Sequence, residues 1–185
     1  MINKRIFFQS FLRNPGRTGS VIQSSPFLVK KMTEPVDWKR AKLIVEFGAG
    51  TGVVTERILE KMSQNAVLLC FEIDNGLFDK LEKRFQDPRI ILIKDGAEKL
   101  GKHLNKRNFG KVDYVVSGLP HASLPKAISR RIIKQVLKHL KNGGKYIQFQ
   151  YSLLSLKEYK SSFSEVVLNF TLLNIPPAFV YVCTK

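Results

Sequence analysis

Three glycines at alternate positions, Gly48, Gly50 and Gly52, mark the stretch of this chain best suited to binding a ligand. They follow a short apolar, β-branched run, Leu43–Phe47, and precede a helical pattern. Glycine lets the backbone bend sharply and lets a ligand approach closely, because it has no Cβ atom. The following helix directs its free amides and the positive end of its dipole at that ligand. The pattern predicts a strand, a tight turn and a helix around a bound small molecule.

The spacing of these glycines indicates which class of ligand they bind. A dinucleotide fingerprint needs a small residue at position 53, where this chain has Val53, and a phosphate loop needs Gly-Lys-Ser/Thr, which is absent. The form Glu46-x-Gly48-x-Gly50-x-Gly52 instead resembles motif I of class I S-adenosylmethionine (SAM) methyltransferases. That resemblance implies that the turn passes the methionine part of SAM and that Glu46 supports its ammonium group. The alternative is an ordinary glycine turn at the end of a strand.

Two acids follow the next two predicted strands. Glu72 ends the strand Ala66–Phe71, about 20 residues after the last glycine, where a carboxylate accepts hydrogen bonds from both hydroxyls of a ribose. Asp95 follows the strand Arg89–Ile93, where the amino group of adenine needs an acceptor. Asp95 has an alternative role as the N-cap of the helix after it.

A second stretch with chemical potential, Ser117–His121, follows the predicted strand Val112–Val116. Its sequence, S-G-L-P-H, resembles motif IV of amino-directed methyltransferases. That resemblance implies that its polar side chain and backbone carbonyls accept hydrogen bonds from the target amine, and proline stiffens the turn. His121 stands where the motif has an aromatic ring, and with Tyr151 it is a candidate to receive or relay a proton. The alternative for His121 is a surface turn residue.

Alternating strand and helix patterns must position these residues, and they predict a doubly wound α/β fold, with a mostly parallel, seven-stranded, Rossmann-like sheet. Residues 37–185 form this domain, and residues 1–36 form a helical extension rich in phenylalanine and basic residues. Within that extension, residues 2–13 suit a helix at a lipid interface or one packed on the domain itself. A second helix there has Ser25 at its N-cap and Pro26 in its first turn.

The last third of the chain gives a basic helix over Ser123–Leu140, capped by residues 142–144, and a strand over Tyr146–Tyr151. A further helix starts at Ser152. Two antiparallel strands, Val166–Ile175 and Ala178–Cys183, joined by a proline turn, complete the sheet.

Charge is segregated along the 185 residues, whose net charge is +16. Residues 1–42 carry nine basic and two acidic side chains, and residues 114–185 carry ten and two, whereas residues 43–113 carry twelve and eleven. Basic flanks favour a polyanionic partner, either an anionic membrane surface or nucleic acid, over a surface that is merely solubilising. The two cysteines, Cys70 and Cys183, lie in apolar runs, which predicts buried thiols in the reducing cytoplasm.

Five stretches together resemble the bacterial phospholipid N-methyltransferases, which are related to the rRNA adenine dimethyltransferases: Phe11–Ser25, Glu46–Gly52, Phe71–Asp74, Asp113–Pro120 and Leu173–Val182. The resemblance implies SAM-dependent methylation of phosphatidylethanolamine by a peripheral protein at the cytosolic membrane face, with docking through an N-terminal helix. The candidates for binding SAM are Ser24, Ser25, Glu46, Gly48, Ala49, Gly50, Gly52, Glu72, Ile73, Asp95, Gly96, Ala97 and Ser117. The candidates for catalysis are Ser117, Leu119, Pro120, His121 and Tyr151.

Two other functions stay open at this stage. An adenine-N6 RNA methyltransferase would use the same motif IV and would place the basic flanks on phosphates, although the rRNA enzymes carry a helical RNA-binding domain for which no room follows Lys185. A SAM-binding or membrane-binding module without turnover is the third reading, which His121 alone favours. Methyl transfer from a sulfonium needs positioning and desolvation, so we expect no metal.

Overall fold

The computed structural model describes residues 24–121 and 124–185. The elements in chain order are α1 (Pro26–Thr33), β1 (Leu43–Phe47), α2 (Val53–Lys61), β2 (Val67–Phe71), α3 (Asn75–Arg84), β3 (Ile90–Ile93), a 3₁₀ turn (Ala97–Lys99), α4 (Leu100–Lys106), β4 (Val112–Ser117), α5 (Lys126–His139), β5 (Leu140–Gln150), α6 (Leu156–Ser162), β6 (Glu165–Thr171) and β7 (Ala178–Thr184). The helix predicted within residues 2–13 lies outside the described residues.

One seven-stranded sheet in the order β3-β2-β1-β4-β5-β7-β6 organises the domain. Strands β1 to β5 are parallel, and β7 pairs antiparallel with both β5 and β6. The parallel strands therefore all end at one edge, called the carboxyl edge below. The expected doubly wound, mostly parallel fold is confirmed, and this edge is where such sheets bind ligands.

Helices cover both faces of the sheet, because the apolar strands must be buried on each side. One core joins α4, α5 and α6 to the sheet around Phe47, Ile132 and Tyr159. The other joins α1, α2 and α3 to the opposite face around Ile58 and Leu81. Helix α1 begins as predicted, since the Ser25 side chain accepts a hydrogen bond from the Leu28 amide at 3.2 Å.

Three boundaries in the last third of the chain were predicted wrongly. Strand β5 begins at Leu140, not Tyr146, because Leu140 pairs with Val112 and the backbone of residues 143–144 pairs with that of Lys185. Helix α6 begins at Leu156 instead of Ser152, and β6 ends at Thr171 instead of Ile175. Two loops, residues 151–155 and 172–177, therefore stand at the carboxyl edge where the sequence pattern predicts regular structure.

Candidate active site

The glycine turn between β1 and α2 has the backbone that its composition predicts. Gly48, Gly50 and Gly52 all have positive φ angles, of 69°, 59° and 84°. A Cβ atom on Gly48 would lie 2.7 Å from Cδ2 of Leu119, whereas a Cβ on Gly50 would meet no atom within 4 Å. The turn thus brings the backbone of β1 directly against the loop after β4 and leaves open space beside Gly50.

The Glu72 carboxylate lies at the end of β2 and faces this turn. It is 1 % exposed. One of its oxygens accepts a hydrogen bond from the Gly50 amide at 2.9 Å, and the other accepts from the amides of Ile73 and Asp74, each at 2.8 Å. Burial raises the pKa of Glu72, and these three amides oppose that rise. Since each oxygen has two lone pairs and three of the four are occupied, the oxygen bound to Gly50 can still accept one hydrogen bond from a ligand.

Asp95, after β3, is held by a cluster of donors. Its carboxylate accepts hydrogen bonds from the Gly96 amide at 2.9 Å, from Lys99 Nζ at 2.5 Å and from His103 Nε2 at 3.0 Å. Burial alone would raise the pKa of Asp95, but the hydrogen bonds from Lys99, His103 and Gly96 lower it to about 2. The 3₁₀ turn that follows is capped by Gly96 without a side-chain hydrogen bond. Asp95 is thus an ionised acceptor and does not act as a helix N-cap.

A cavity of about 290 Å³ is lined by six of the thirteen predicted cofactor-binding residues. Its wall on the side of β1 to β3 includes Gly48, Glu72 and Asp95, and its opposite wall, formed by Leu119 and by α5, is apolar except for Arg131. The remaining wall residues are Phe71, Ile73, Gly96, Ala97, Glu98, Leu124, Pro125, Ala127, Ile128, Arg131 and Ile132. Carboxylates at two strand ends and an apolar slot between them fit a nucleoside, whose hydroxyls and amino group donate and whose base is flat.

The predicted role of Glu46 finds no support in its position, because its side chain points to the other face of the sheet. It is 2 % exposed, and one carboxylate oxygen accepts a hydrogen bond from Thr55 Oγ1 at 2.7 Å and one from Cys70 Sγ at 3.5 Å. Burial raises the pKa of Glu46 to about 7. The Glu46 carboxylate thus ties β1 to α2 and β2 beneath the turn and does not line the cavity.

The corner after β4, residues 117–121, packs against the glycine turn. The Gly118 amide donates to the Phe47 carbonyl at 2.8 Å, and a Cβ on Gly118 would lie 3.0 Å from the Gly48 carbonyl oxygen. The side chain of Ser117 is fully buried, and its Oγ accepts a long hydrogen bond, 3.4 Å, from the Leu119 amide. Of this corner, Leu119 alone lines the cavity, and Pro120 and His121 lie behind it.

His121 is a buried member of a hydrogen-bonded chain. Its Nδ1 lies 2.8 Å from Ser129 Oγ, and its Nε2 lies 2.9 Å from the Tyr146 hydroxyl. That hydroxyl donates to Gln148 Oε1 at 2.7 Å, and Gln148 Nε2 donates to the Leu119 carbonyl at 2.8 Å. The Tyr146 hydroxyl has a single hydrogen and donates it to Gln148, so it can only accept a hydrogen bond from His121. Nε2 of His121 therefore carries the hydrogen, and Nδ1 accepts from the Ser129 hydroxyl.

The hydrogen-bonded chain through His121, together with the burial of that residue, fixes the charge state of His121 and the orientation of the corner. Burial lowers the pKa of His121 to about 4, so the imidazole is neutral at physiological pH. The Leu119 carbonyl accepts from the His121 amide at 2.9 Å as well as from Gln148, so both of its lone pairs are used. Sequence reasoning missed Ser129, Tyr146 and Gln148. The signal for Tyr146 and Gln148 was the alternation of polar side chains with apolar Ile147 and Phe149 in the second half of β5, whereas no pattern indicated Ser129, which lies on α5.

The remaining candidates lie outside the cavity. Tyr151 follows the end of β5, is 42 % exposed, and its ring contacts that of Phe149 at 5.6 Å between centroids. Burial raises the pKa of Tyr151, and a hydrogen bond with Asn174 opposes this. Ser25 caps α1 and donates from Oγ to the Leu173 carbonyl at 2.7 Å, and Ser24 precedes it. The other predicted positions, Ala49 and Gly52, belong to the glycine turn itself.

Residues 24–121 and 124–185 contain neither a cluster of side chains of the kind that holds a metal ion nor a membrane-spanning helix. No group of three or more His, Cys, Asp or Glu side chains is arranged to hold a metal ion there. Within the same described ranges, no helix has the length and apolar character needed to cross a bilayer.

The fold is that of known methyltransferases. The solved structure of a precorrin-6y C5,15-methyltransferase from Geobacter metallireducens superimposes with a TM-score of 0.71 at 15% sequence identity, over 91% of this chain and 94% of that one. With a glycine turn after β1 and a carboxylate after β2, this fold defines a class I SAM-dependent methyltransferase. The expected cofactor, SAM, and the expected enzymatic class are confirmed.

Sequence comparison identifies the family to which the chain belongs. The profile of the ribosomal RNA adenine dimethylases matches residues 3–158, so the chain belongs to that family. It is 29% identical to the ornithine lipid N-methyltransferase of Singulisphaera acidiphila over 180 residues, which is 96% of this chain and 94% of that protein. It is 37% identical to the ribosomal RNA small subunit methyltransferase A of Mesomycoplasma hyopneumoniae, but over 68 residues, 37% of this chain and 25% of that protein.

Proposed function

We propose that this protein transfers methyl groups from SAM to the primary amine of a membrane-lipid headgroup, of the phosphatidylethanolamine type, at a membrane surface. The observation that carries this proposal is the extent of the likeness to a lipid N-methyltransferase, which spans 94% of that relative. The likeness to an rRNA enzyme spans only 25% of the relative's length. The net charge of +16 also suits a partner surface of anionic lipids.

The cavity residues divide the binding of SAM among them. Glu72 would accept a hydrogen bond from one ribose hydroxyl through its remaining lone pair, Asp95 would accept one from the adenine amino group, and Ile73 and Ala97 would contact the flat base. Gly50, with open space beside it, would let the rest of the molecule lie close to the backbone. When bound, SAM supplies a methyl group already activated by its sulfonium charge, so the protein has to position and desolvate the acceptor amine.

The corner after β4 would receive that amine. The two lone pairs of the Leu119 carbonyl are already used, so the acceptor that we assign to the amine is the Ser117 hydroxyl, whose side chain is hydrogen-bonded with Tyr146 and accepts a 3.4 Å bond from the Leu119 amide. Ser117 is fully buried beside Leu119, so the amine has to pass the Leu119 side chain to reach it. His121 would act as a positioning residue, because its neutral ring is packed behind the corner and holds Gln148 in place through Tyr146. Tyr151, partly exposed beyond the corner, remains a candidate for passing the amine's proton to solvent.

Methylation of an adenine amino group in RNA is the second candidate. The family profile is that of rRNA adenine dimethylases, and an exocyclic amine of adenine presents the same donor atoms to the corner. The basic flanks would then contact phosphates.

Transfer of label from radiolabelled SAM separates these candidates. We expect label in phosphatidylethanolamine presented in anionic vesicles, with ornithine lipid as a second lipid arm, and none in ribosomal RNA. Glu72→Gln should weaken SAM binding at least tenfold, because an amide offers one oxygen where the carboxylate offers two, and a hydrogen bond to a charged group is worth about 1.5–3 kcal/mol.

The matched control is Glu60→Gln, which alters an exposed carboxylate paired with Arg57 on α2. It should leave SAM binding, measured by calorimetry, within about twofold of the wild type. Label found in RNA and not in either lipid would overturn the proposed substrate class. Unchanged SAM affinity in Glu72→Gln would remove Glu72 from the role given to it here.

A further inference from the structure

Five large aliphatic side chains stand exposed on the two loops at the carboxyl edge. Leu154 and Ile175 are 81 % and 86 % exposed, and Leu172 is 71 % exposed. We call the set of five the loop-tip patch: Leu153, Leu154, Leu172, Leu173 and Ile175. An exposed cluster of large aliphatic side chains is uncommon on a soluble monomer and indicates a surface that contacts another apolar surface.

The two loops that carry the patch are held in place by hydrogen bonds. Ser25 donates from its Oγ to the Leu173 carbonyl at 2.7 Å and from its amide to Asn174 Oδ1 at 3.0 Å. Asn174, which is 1 % exposed, donates to the Pro176 carbonyl at 2.7 Å. The hydroxyl of Tyr181 donates to the carbonyl of Ser152 in the other loop at 2.9 Å. The aliphatic side chains are therefore presented from a fixed backbone.

The patch lies on the acceptor side of the corner after β4. The sheet order places β4 between the cofactor half, β3-β2-β1, and the half that carries the loops, β5-β7-β6. Contacts connect the two: a Cβ on Gly118 would lie 3.8 Å from the Phe149 ring, that ring meets Tyr151, and Tyr151 bonds with Asn174. A surface bound at the patch would thus meet the corner from the side opposite to the cavity.

The charge around the patch identifies the partner. No acidic residue occurs from residue 114 to residue 157, and exposed Lys126, Arg130 and Lys157 lie on the helices that begin at this edge. Aliphatic tips and basic side chains at the same edge of the sheet match a bilayer with anionic lipids, because the hydrocarbon can take the tips and the phosphates can bind the cationic groups. The five aliphatic tips offer no flat face on which an RNA base could stack, and the exposed rings beside them, Tyr151 and Phe170, suit the headgroup level of a bilayer.

We propose that the loop-tip patch is the surface by which this protein rests on an anionic bilayer, so that lipid headgroups lie against the corner formed by residues 117–121. This inference rests on the proposed function only for the identity of the headgroup. It assigns membrane contact to residues of the catalytic domain itself, which sets the orientation of the domain as well as its attachment.

The test compares a double substitution in the patch with a matched one outside it. Leu154→Ser with Ile175→Ser removes two exposed tips without changing the charge. The control, Val167→Ser with Leu168→Ser, removes exposed apolar surface of β6, 45 % and 36 % exposed, about three to four residues or ~12 Å from the carboxyl edge. Co-sedimentation with vesicles of phosphatidylethanolamine and phosphatidylglycerol should fall at least tenfold in the patch variant and less than about threefold in the control.

Methylation of monomeric, short-chain phosphatidylethanolamine separates this inference from the proposed function. The patch variant should methylate the soluble lipid as the wild type does and lose activity on vesicles. Vesicle binding equal to that of the wild type would overturn the inference. The inference would also be overturned if the wild type sedimented as a dimer and the patch variant as a monomer while vesicle binding stayed unaltered, because a second copy of the protein would then cover the patch. Loss of vesicle binding together with no transfer to any lipid by the wild type would support the patch and refute the function.

Discussion

Two buried ionisable groups should make the stability of this protein respond to pH in opposite directions. Burial raises the pKa of Glu46 to about 7 from an ordinary 4.5 and lowers that of His121 to about 4 from an ordinary 6.5. Between pH 4.5 and 7 the folded state holds a proton on Glu46 that the unfolded state has released, so stability falls as pH rises. Between pH 4 and 6.5 the unfolded state holds a proton on His121 that the folded state lacks, so stability rises with pH.

The two contributions to the free energy of unfolding are nearly equal and opposite in sign, so they cancel in the wild type. One pKa unit corresponds to about 1.4 kcal/mol, so each group changes the free energy of unfolding by about 3 kcal/mol across its range. Their sum is almost flat from pH 4.5 to 6.5. Glu46→Gln and His121→Gln each remove one titration, and glutamine retains an oxygen for Thr55 in the first case and an N–H for Tyr146 in the second.

Urea unfolding at half-unit steps from pH 4.5 to 7.5 is the assay. Relative to the wild type, Glu46→Gln should lose about 3 kcal/mol on acidification from pH 6.5 to 4.5, and His121→Gln should gain about 3 kcal/mol. Differences from the wild type cancel other titrating groups. His139→Gln is the control, since its imidazole is only partly buried and should change the slope far less. Curves for both variants that run parallel to the wild type would refute the reasoning.

Three further predictions concern the site and the surface. Gly48→Ala puts a side chain at a φ of 69° and 2.7 Å from Leu119, so SAM affinity by calorimetry should fall at least tenfold, whereas Gly110→Ala, with open space around it, should leave affinity unchanged. Tyr146→Phe leaves the His121 Nε2–H without its acceptor, so we expect about 1–3 kcal/mol less stability and a lower kcat with unchanged SAM affinity. Binding to anionic vesicles should weaken steeply between 50 and 500 mM NaCl, because a net charge of +16 is screened, and salt-independent binding would contradict this.

Structural features that depend on residues close together in the sequence could be predicted from the sequence. The glycine turn, the carboxylate after β2 and the acid after β3 each follow a strand whose apolar run is visible, and the parallel topology then brings strand ends to one edge. The confirmed fold and cofactor follow from this logic. The direction of Glu46 does not, because β1 is buried on both faces and an apolar run carries no alternation to say which face a residue takes.

The sequence by itself determined the α/β alternation, the glycine turn whose resemblance to a methyltransferase motif implied SAM, and the segregation of basic charge, because these depend on residue types within a few positions of one another. Only the tertiary structure decided that His121 is a neutral, buried residue, since its partners Ser129 and Tyr146 lie 8 and 25 residues away. It also decided that residues 151–155 and 172–177 form loops that meet at the carboxyl edge. The pairing of β5, β6 and β7, and not local propensity, ends those strands and leaves the aliphatic side chains exposed.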